Sequence, residues 1–168
     1  EPLATAYRYN AVVAAADGSL WTDPPSPPPP PPVAAIASAA VMEGNGGRRT
    51  LFFTISLSAA SQQPVSLRWN TANGSAVARQ DYLAGGGTVA FQPGQTTATV
   101  GVVVLGDRLR EANETFFVDL SSAVNATIST TARRATGLIV NDDGLTKARL
   151  AAAFATMETF NRNAKTRT

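Results

Sequence analysis

The chain contains no cysteine and no histidine. Without cysteine it has no disulfide, no thiolate nucleophile and no thiolate-ligated zinc. Without histidine it lacks the commonest general base near neutral pH and the commonest metal ligand. Ser-His-Asp catalysis, Cys-His catalysis and histidine-ligated metal are therefore excluded within this chain. Since only carboxylates, hydroxyls, lysines and arginines remain for chemistry, we expect a module that is not an enzyme.

Long apolar runs and a strong charge imbalance are also missing. No run approaches the ~20 residues of a membrane span, although 44% of the 168 residues are hydrophobic, enough for one core. Residues 41–143 hold eight arginines and eight acids, and most of the excess positive charge lies in the tail after them. A nucleic-acid-binding domain would usually carry that charge on its folded part. We therefore expect neither nucleic-acid binding nor membrane insertion.

The first segment, residues 1–23, predicts the end of a preceding β-domain. Tyr7 and Tyr9 alternate with polar residues ahead of Asp17-Gly18, a pair typical of hairpin turns. This short stretch faintly resembles the closing strands of a fibronectin type III module. Because the sequence has neither an initiator Met nor a basic-then-apolar leader, we expect a segment of a longer polypeptide.

The second segment, residues 24–32, consists of eight prolines and Ser26. Consecutive prolines adopt the polyproline II helix, which rises ~3.1 Å per residue, so the segment predicts a semi-rigid linker of roughly 28 Å. It is interpreted as a spacer between domains in preference to a ligand for a proline-recognising domain. The Ser-Pro-Pro-Pro run also resembles stretches of wall glycoproteins.

The third segment, residues 33–144, predicts an all-β fold. Short runs with alternating apolar residues recur between turn signals, and no helical period separates them. The runs are Thr50–Ser58, Val65–Trp69, Val89–Phe91, Thr97–Leu105, Thr115–Leu120 and Thr136–Val140. Six or seven short strands with one apolar face each are typical of an antiparallel β-sandwich of two sheets.

The fourth segment, residues 145–168, changes from the strand period to the helical period. Leu150, Phe154 and Met157 are spaced i, i+4 and i+7 among many alanines, which predicts a short amphipathic α-helix. We interpret it as a connector, or as the start of a next domain.

Seven acidic residues fall at strand ends or in loops of the predicted sandwich. Every second loop of an antiparallel sandwich emerges at the same end, so acids distant in sequence can meet there. Clustered carboxylates repel one another unless a cation neutralises them, and an oxygen-only site suits Ca²⁺. The seven are Glu43, Asp81, Asp107, Glu111, Glu114, Asp142 and Asp143.

Several blocks of the sequence occur in an order and spacing that one domain family shares. They are Val41-Met-Glu-Gly-Asn, Trp69-Asn-Thr-Ala-Asn-Gly-Ser-Ala, Asp81-Tyr82, Gly87-Thr-Val-Ala-Phe-Gln-Pro-Gly-Gln-Thr, Gly106-Asp107, Asn113-Glu-Thr-Phe-Phe-Val-Asp-Leu-Ser, Asn125-Ala-Thr-Ile and Ile139-Val-Asn-Asp-Asp. On these blocks, residues 34–143 resemble a Calx-beta domain. The resemblance implies an immunoglobulin-like sandwich of about seven strands, found in sodium–calcium exchangers and in extracellular multidomain proteins.

The resemblance also implies which residues hold Ca²⁺ where the ion is bound. The seven acids above match the ligand positions, and Leu109 matches a position that supplies its backbone carbonyl. Gly106 and Asn141 replace acids of the richest sites, which predicts at most one or two ions of modest affinity. Arg108 and Arg110 lie inside the acidic loop, so an alternative is that these arginines neutralise the carboxylates in place of a metal.

Three Asn-x-Ser/Thr sequons begin at Asn73, Asn113 and Asn125. In a secreted eukaryotic protein they would accept glycans, whereas in a bacterium they would have no such meaning. A glycan at Asn113 would crowd the expected ion site, so these two predictions compete.

Together these features predict a structural or adhesive module of a secreted or cell-surface multidomain (glyco)protein, such as an adhesin, a wall glycoprotein or a filament subunit. Bound Ca²⁺ would stiffen a joint between domains, and the expected partners are neighbouring domains or subunits and, in some settings, glycans. One alternative is an accessory carbohydrate-binding module of a secreted hydrolase, which would need exposed aromatics such as Trp21 and Tyr82. Another is a regulatory Ca²⁺-sensing domain.

Overall fold

The computed structural model describes residues 13–14, 20–21, 27–145 and 147–166, and the chain divides into two units, residues 1–30 and 31–168. In the first unit, strand β1 (Val13–Ala14) pairs antiparallel with strand β2 (Leu20–Trp21). The rest of the expected hairpin, with its Asp17-Gly18 turn, and the first residues of the proline linker lie outside the described residues.

The second unit is a sandwich of two β-sheets followed by one helix, as predicted. One sheet has the strand order β10-β3-β5-β8, and the other has the order β4-β11-β9-β6-β7. Pairing is antiparallel except between β10 and β3 and between β4 and β11. The strands are β3 (Val33–Ile36), β4 (Ala39–Met42), β5 (Gly47–Leu57), β6 (Val65–Asn73), β7 (Gly86–Phe91), β8 (Thr97–Gly106), β9 (Glu114–Val124), β10 (Thr127–Ile128) and β11 (Arg134–Val140).

The core lies between the two sheets and is formed by the alternating apolar residues of the strands. On β5, Leu51, Phe53, Ile55 and Leu57 are buried while the residues between them face outward. Phe116 of β9 meets Phe53 edge to face, with ring centroids 5.9 Å apart. Strands β6, β8 and β9 bury alternate residues along part of their length, because successive side chains of a strand point to opposite faces.

The start of the sandwich is divided between the two sheets. Strand β3 joins one sheet and β4 joins the other, with Ala37 and Ser38 making the crossing. This division, together with the two-residue β10, brings the number of strands in the sandwich to nine. The sequence predicts about seven because neither β3 nor β4 contains an apolar–polar alternation, and β10 is too short to show one.

Helix α1 (Lys147–Lys165) follows the sandwich and packs mainly on β4. The side of α1 that is at least half-buried carries Leu150, Ala153, Met157, Phe160, Asn161 and Ala164. Phe154 lies off this side and is 46% exposed, so its placement on the buried stripe is wrong. In the part of the chain that the structure describes, no helix is long and apolar enough to cross a membrane.

Candidate metal centre

Two groups of carboxylates lie at one end of the sandwich. Glu43, Asp142 and Asp143 form the Glu43 cluster. Asp81, Glu111 and Glu114 form the Asp81 cluster. Within each cluster one ligand oxygen from each residue lies within 4.8 Å of the others. Together these two groups, called here the acidic centre, contain six of the seven acids that the sequence predicts to converge.

The pairing of β4 with β11 assembles the Glu43 cluster. These strands run parallel, with Met42 opposite Val140, so the residues after each strand emerge at the same end of the sheet. The backbone N–H of Glu43 donates to the carbonyl of Val140 at 3.2 Å and continues this pairing by one residue. Glu43 and the Asp142-Asp143 pair, about a hundred residues apart in sequence, therefore meet.

Two of the three carboxylates in the Glu43 cluster are almost fully buried. Glu43 is 5% exposed and Asp143 is 4% exposed. Asp143 Oδ1 accepts a hydrogen bond from Asn45 Nδ2, whereas Asp143 Oδ2 is buried without a hydrogen-bond partner among the described residues. An unpartnered polar atom in such a place costs on the order of 1–3 kcal/mol, and more if it is charged. The cluster thus contains a buried carboxylate oxygen that no donor among the described residues satisfies.

The environment of Glu43 disfavours its ionised form. Burial raises the pKa of Glu43 from 4.5 to about 7, against the opposing effect of a hydrogen bond from Asn141. The negative charges of Asp107, Asp143 and Glu111 raise the same pKa further. The protonated form of the Glu43 carboxyl group is therefore favoured at neutral pH far more than in an exposed glutamate.

Asn141 connects two oxygens that the family resemblance marks as ligands. Its buried side-chain Nδ2 donates to Glu43 Oε1 at 2.6 Å and to the backbone carbonyl of Leu109 at 3.0 Å. The amide group therefore lies between an acidic oxygen and a carbonyl oxygen. An asparagine in place of an acid at this position lowers the negative charge of the centre by one.

The Asp81 cluster is built on the edge of β8. The backbone N–H of Leu105 donates to the carbonyl of Asp81 at 2.9 Å, and that of Leu83 donates to the carbonyl of Val103 at 2.8 Å. These bonds attach the loop to the strand and set Asp81 beside Glu114, the first residue of β9. Asp81 Oδ2 also accepts a hydrogen bond from the N–H of Val77 at 2.7 Å.

Glu114 has the same electrostatic character as Glu43. Burial raises the pKa of Glu114 to about 7, and the charge of Asp81 and a hydrogen bond shared with Asp81 raise it as well. The charge of Glu111 adds to the shift. Since Glu111 raises the pKa of both Glu43 and Glu114, the two clusters form one electrostatic unit.

The remaining predicted residues lie in the loop between β8 and β9. Asp107 Oδ1 accepts from the N–H of Leu109 at 2.6 Å, an Asx turn that orders the loop. Arg108 donates through Nε to the carbonyl of Asn45 at 3.3 Å. In the part of the chain that the structure describes, the ion pair within 4.0 Å joins Arg134 and Asp119. Neutralisation of the acidic centre by direct ion pairs with Arg108 or Arg110 is therefore not seen there.

Gly106 stands at a position where the family resemblance implies an acid in the sites with the most acidic ligands. The packing around this position requires a glycine. A Cβ atom at this position would collide with the backbone carbonyl oxygens of Glu43 and Gly44. The end of β8 thus lies directly on the backbone that carries Glu43. A side chain at residue 106 is excluded by this packing, so the charge of the centre cannot be restored there without moving the backbone.

Glycan attachment and glycan binding depend on exposed side chains. The asparagines of all three sequons are exposed, and Asn113 Oδ1 accepts from the backbone N–H of Asn141 at 3.2 Å. Asn113 therefore adjoins the acidic centre. Tyr82 is 1% exposed and stacks on Phe116 at 4.5 Å, so its predicted place on an aromatic binding platform is wrong. The side chain of Trp21 lies outside the described residues.

Asn45 is a residue of the centre that the sequence analysis did not single out. Its side chain holds Asp143, and its carbonyl accepts from Arg108. A signal for it was present, since Asn45 ends the block Val41-Met-Glu-Gly-Asn on which the resemblance depends. An amide donor next to an acidic pair is difficult to predict because its partner lies 98 residues away.

The acidic centre offers only oxygen ligands, from carboxylates and from a backbone carbonyl. Hard cations such as Ca²⁺ take six to eight such ligands at 2.3–2.6 Å. The unpartnered Asp143 oxygen and the two carboxyl groups with raised pKa values fit a centre that neutralises itself by binding a cation or protons. The donor set suits a hard cation such as Ca²⁺.

Comparisons with known proteins agree with this fold. The apo-form Calx CBD1 domain is 21% identical, with a TM-score of 0.57 over 68% of this chain and 100% of that one. The calcium binding domain CBD12 of CALX1.1 is 23% identical, with a TM-score of 0.58 over 66% of this chain and 46% of that one. The Calx CBD2 domain is 11% identical, with a TM-score of 0.51 over 74% of this chain and 93% of that one.

No match is found among curated proteins. The family model of the Calx-beta domain matches residues 37–143, which is more than half of the chain, and these residues contain the whole acidic centre. The chain belongs to the Calx-beta domain family.

Proposed function

We propose that this chain is a non-catalytic Ca²⁺-binding module. The observation that carries the proposal is the buried Asp143 carboxylate, whose Oδ2 has no hydrogen-bond partner among the described residues and lies in a cluster with Glu43 and Asp142. A cation at this position would supply the missing partner and would stabilise the ionised form of Glu43, whose pKa is raised by burial and by the neighbouring acids. One of the structures similar to this chain is itself a calcium binding domain.

The proposed ligands are divided between the two clusters. Glu43, Asp142 and Asp143 hold one ion, with the Leu109 carbonyl and Asp107 beside them. A second ion would take the Asp81 cluster, where it would favour the ionised form of Glu114, whose pKa burial and the neighbouring acids raise. Because Asn141 and Gly106 carry no charge, we expect the modest affinity of a site with few acids.

The proposed setting is a secreted or cell-surface protein of several domains, in which the module has a structural or adhesive role. The acidic centre lies at the end of β11, directly before α1, where the chain leaves the sandwich. An ion there would stiffen the exit of the chain and thereby a joint with the next domain or subunit. Glycosylation of Asn73, Asn113 or Asn125 would fit the same compartment.

Titration with Ca²⁺ tests the proposal. A ligand at 100 times its Kd stabilises the folded state by about 2.7 kcal/mol, so the melting temperature should rise by several degrees in millimolar Ca²⁺. The double variant Asp142→Asn, Asp143→Asn should lose this rise. Asp119→Asn is the matched control, because Asp119 pairs with Arg134 and is not part of the centre. If the melting temperature of the parent protein does not change with Ca²⁺, the proposal is refuted.

A further inference from the structure

The outer edge of β4 is bonded to a side chain of helix α1. The backbone N–H of Ala40 donates to Asn161 Oδ1 at 2.6 Å, and Asn161 Nδ2 donates to the carbonyl of Ala40 at 3.2 Å. Two residues that exchange both an N–H and a carbonyl bond form the hydrogen-bonded pair of an antiparallel ladder. The Asn161 amide makes this pair of bonds with Ala40, so it stands in for one residue of a neighbouring strand.

Strand β4 is a short edge of four residues, and its own sequence lacks the residues that usually protect a longer sheet edge. Its sequence, Ala39-Ala-Val-Met, contains no charged residue and no proline, the residues with which natural edges discourage pairing with other chains. The edge of β8 differs, since the loop containing Asp81 and Leu83 is bonded to the last part of that strand. At β4 the covering element is α1.

The hold of α1 on this edge depends on a small set of side chains. Among the helix residues whose burial the structure describes, only Ala164 is fully buried, and the larger apolar side chains on that side are partly exposed. A groove of about 510 Å³ runs beside the edge, lined by Ala39, Ala40, Phe52 and Asn161 among others. Phe52 is 63% exposed there. The groove thus borders both β4 and the side chain of α1 that is bonded to it.

We propose that α1 covers the outer edge of β4 and can undock from it. When α1 undocks, β4 pairs antiparallel with β4 of a second copy of this chain. A second copy of this chain is the expected partner because the β4 edge is complementary to itself. Antiparallel pairing of Ala39–Met42 with itself about a two-fold axis joins uncharged residues and brings no like charges into opposition. This pairing does not depend on the binding of an ion.

The variant Asn161→Ala removes both bonds to Ala40 and leaves the rest of α1 intact. Alanine has the higher helix propensity, so an undocked helix in this variant would not result from a weaker helix. Asn163→Ala is the matched control, because Asn163 is an exposed residue on the same helix. Two measurements are made on the parent chain of 168 residues and on each variant of it: amide hydrogen exchange at Ala40, and molar mass by light scattering over a range of concentrations.

In Asn161→Ala we expect exchange at Ala40 to become at least about tenfold faster at low concentration, as the loss of two hydrogen bonds implies. We also expect a dimer to appear as concentration rises. The parent chain and Asn163→Ala should stay monomeric, with slow exchange.

Unchanged exchange in Asn161→Ala would show that the amide does not hold the helix. Faster exchange in a variant that stays monomeric would show that the free edge does not pair with a second copy. A parent chain that is already dimeric would show that docked α1 does not prevent dimer formation. Each of these results overturns the proposal.

Discussion

Replacing Glu43 by glutamine should stabilise the protein or destabilise it, depending on pH and Ca²⁺. The side chain is buried beside other acids, so its ionised form is costly when no cation is present. Glutamine keeps the shape and an oxygen that can accept the hydrogen bond from Asn141, and it removes the charge. In EDTA at pH 8 we therefore expect Glu43→Gln to unfold at higher urea concentration than the parent.

The magnitude follows from the pKa of Glu43. In the folded protein this pKa is about 7, against 4.5 for the ordinary group. A folded-state pKa that is raised means that stability is present below pH 4.5 and is lost as the pH rises towards 7. At about 1.4 kcal/mol per pH unit, the ionised Glu43 costs about 3 kcal/mol of unfolding free energy at pH 8. Glu43→Gln should regain up to that amount at pH 8 and almost none near pH 4.5.

Urea denaturation in EDTA and in Ca²⁺, each at pH 5 and pH 8, measures these differences. With Ca²⁺ at pH 8 the sign should reverse, because glutamine removes a charged ligand from the centre. Glu158→Gln, on the outer side of α1, makes the same chemical change at an exposed position and should alter the unfolding free energy by less than about 0.5 kcal/mol. A Glu43→Gln variant that is destabilised equally at both pH values in EDTA would refute this electrostatic account.

Three further substitutions test separate parts of the structure. Asn141→Asp should raise Ca²⁺ affinity by about tenfold in calorimetry, since ligand charge sets affinity, and should lower stability in EDTA; unchanged affinity would contradict its place between Glu43 and the loop. Gly106→Ala should cost about 1–3 kcal/mol in urea denaturation, because its Cβ would meet backbone, and a neutral result would contradict that packing. Tyr82→Phe should cost about 1 kcal/mol through loss of the hydrogen bond from its O–H to Asn73 Oδ1 at 2.6 Å, with stacking retained; a loss above about 3 kcal/mol would mean that the ring moves.

The strands could be predicted where alternation is long and one face is buried. Strands β5, β8 and β9 each show several apolar residues at every second position, and the structure buries those residues. Antiparallel topology, which sends alternate loops to one end, predicts that acids from several loops meet, but Glu43 meets Asp142 and Asp143 through the parallel pairing of β4 with β11, which alternation does not reveal. The position of each acid within that end depends on register, which alternation does not reveal.

Other features depend on partners far away in the sequence. The hydrogen bonds between Asn161 and Ala40 join residues 121 positions apart, so no local sequence pattern predicts them. The buried side of α1 is decided by where the helix meets β4, and for this reason Phe154 lies outside although its spacing fits the stripe. Tyr82 follows an acidic residue in a loop and looks exposed in sequence, yet the loop turns it inward onto Phe116.

The parallel pairing of β4 with β11 has a mechanical consequence. The chain enters β4 at one end of this pair and leaves β11 at the other, with Ala39 opposite Gly137 and Met42 opposite Val140. Tension applied between the preceding residues and α1 would drag the two strands past each other along their length. The hydrogen bonds that join them would then carry the force simultaneously, whereas a hairpin pulled at its open end yields one bond at a time.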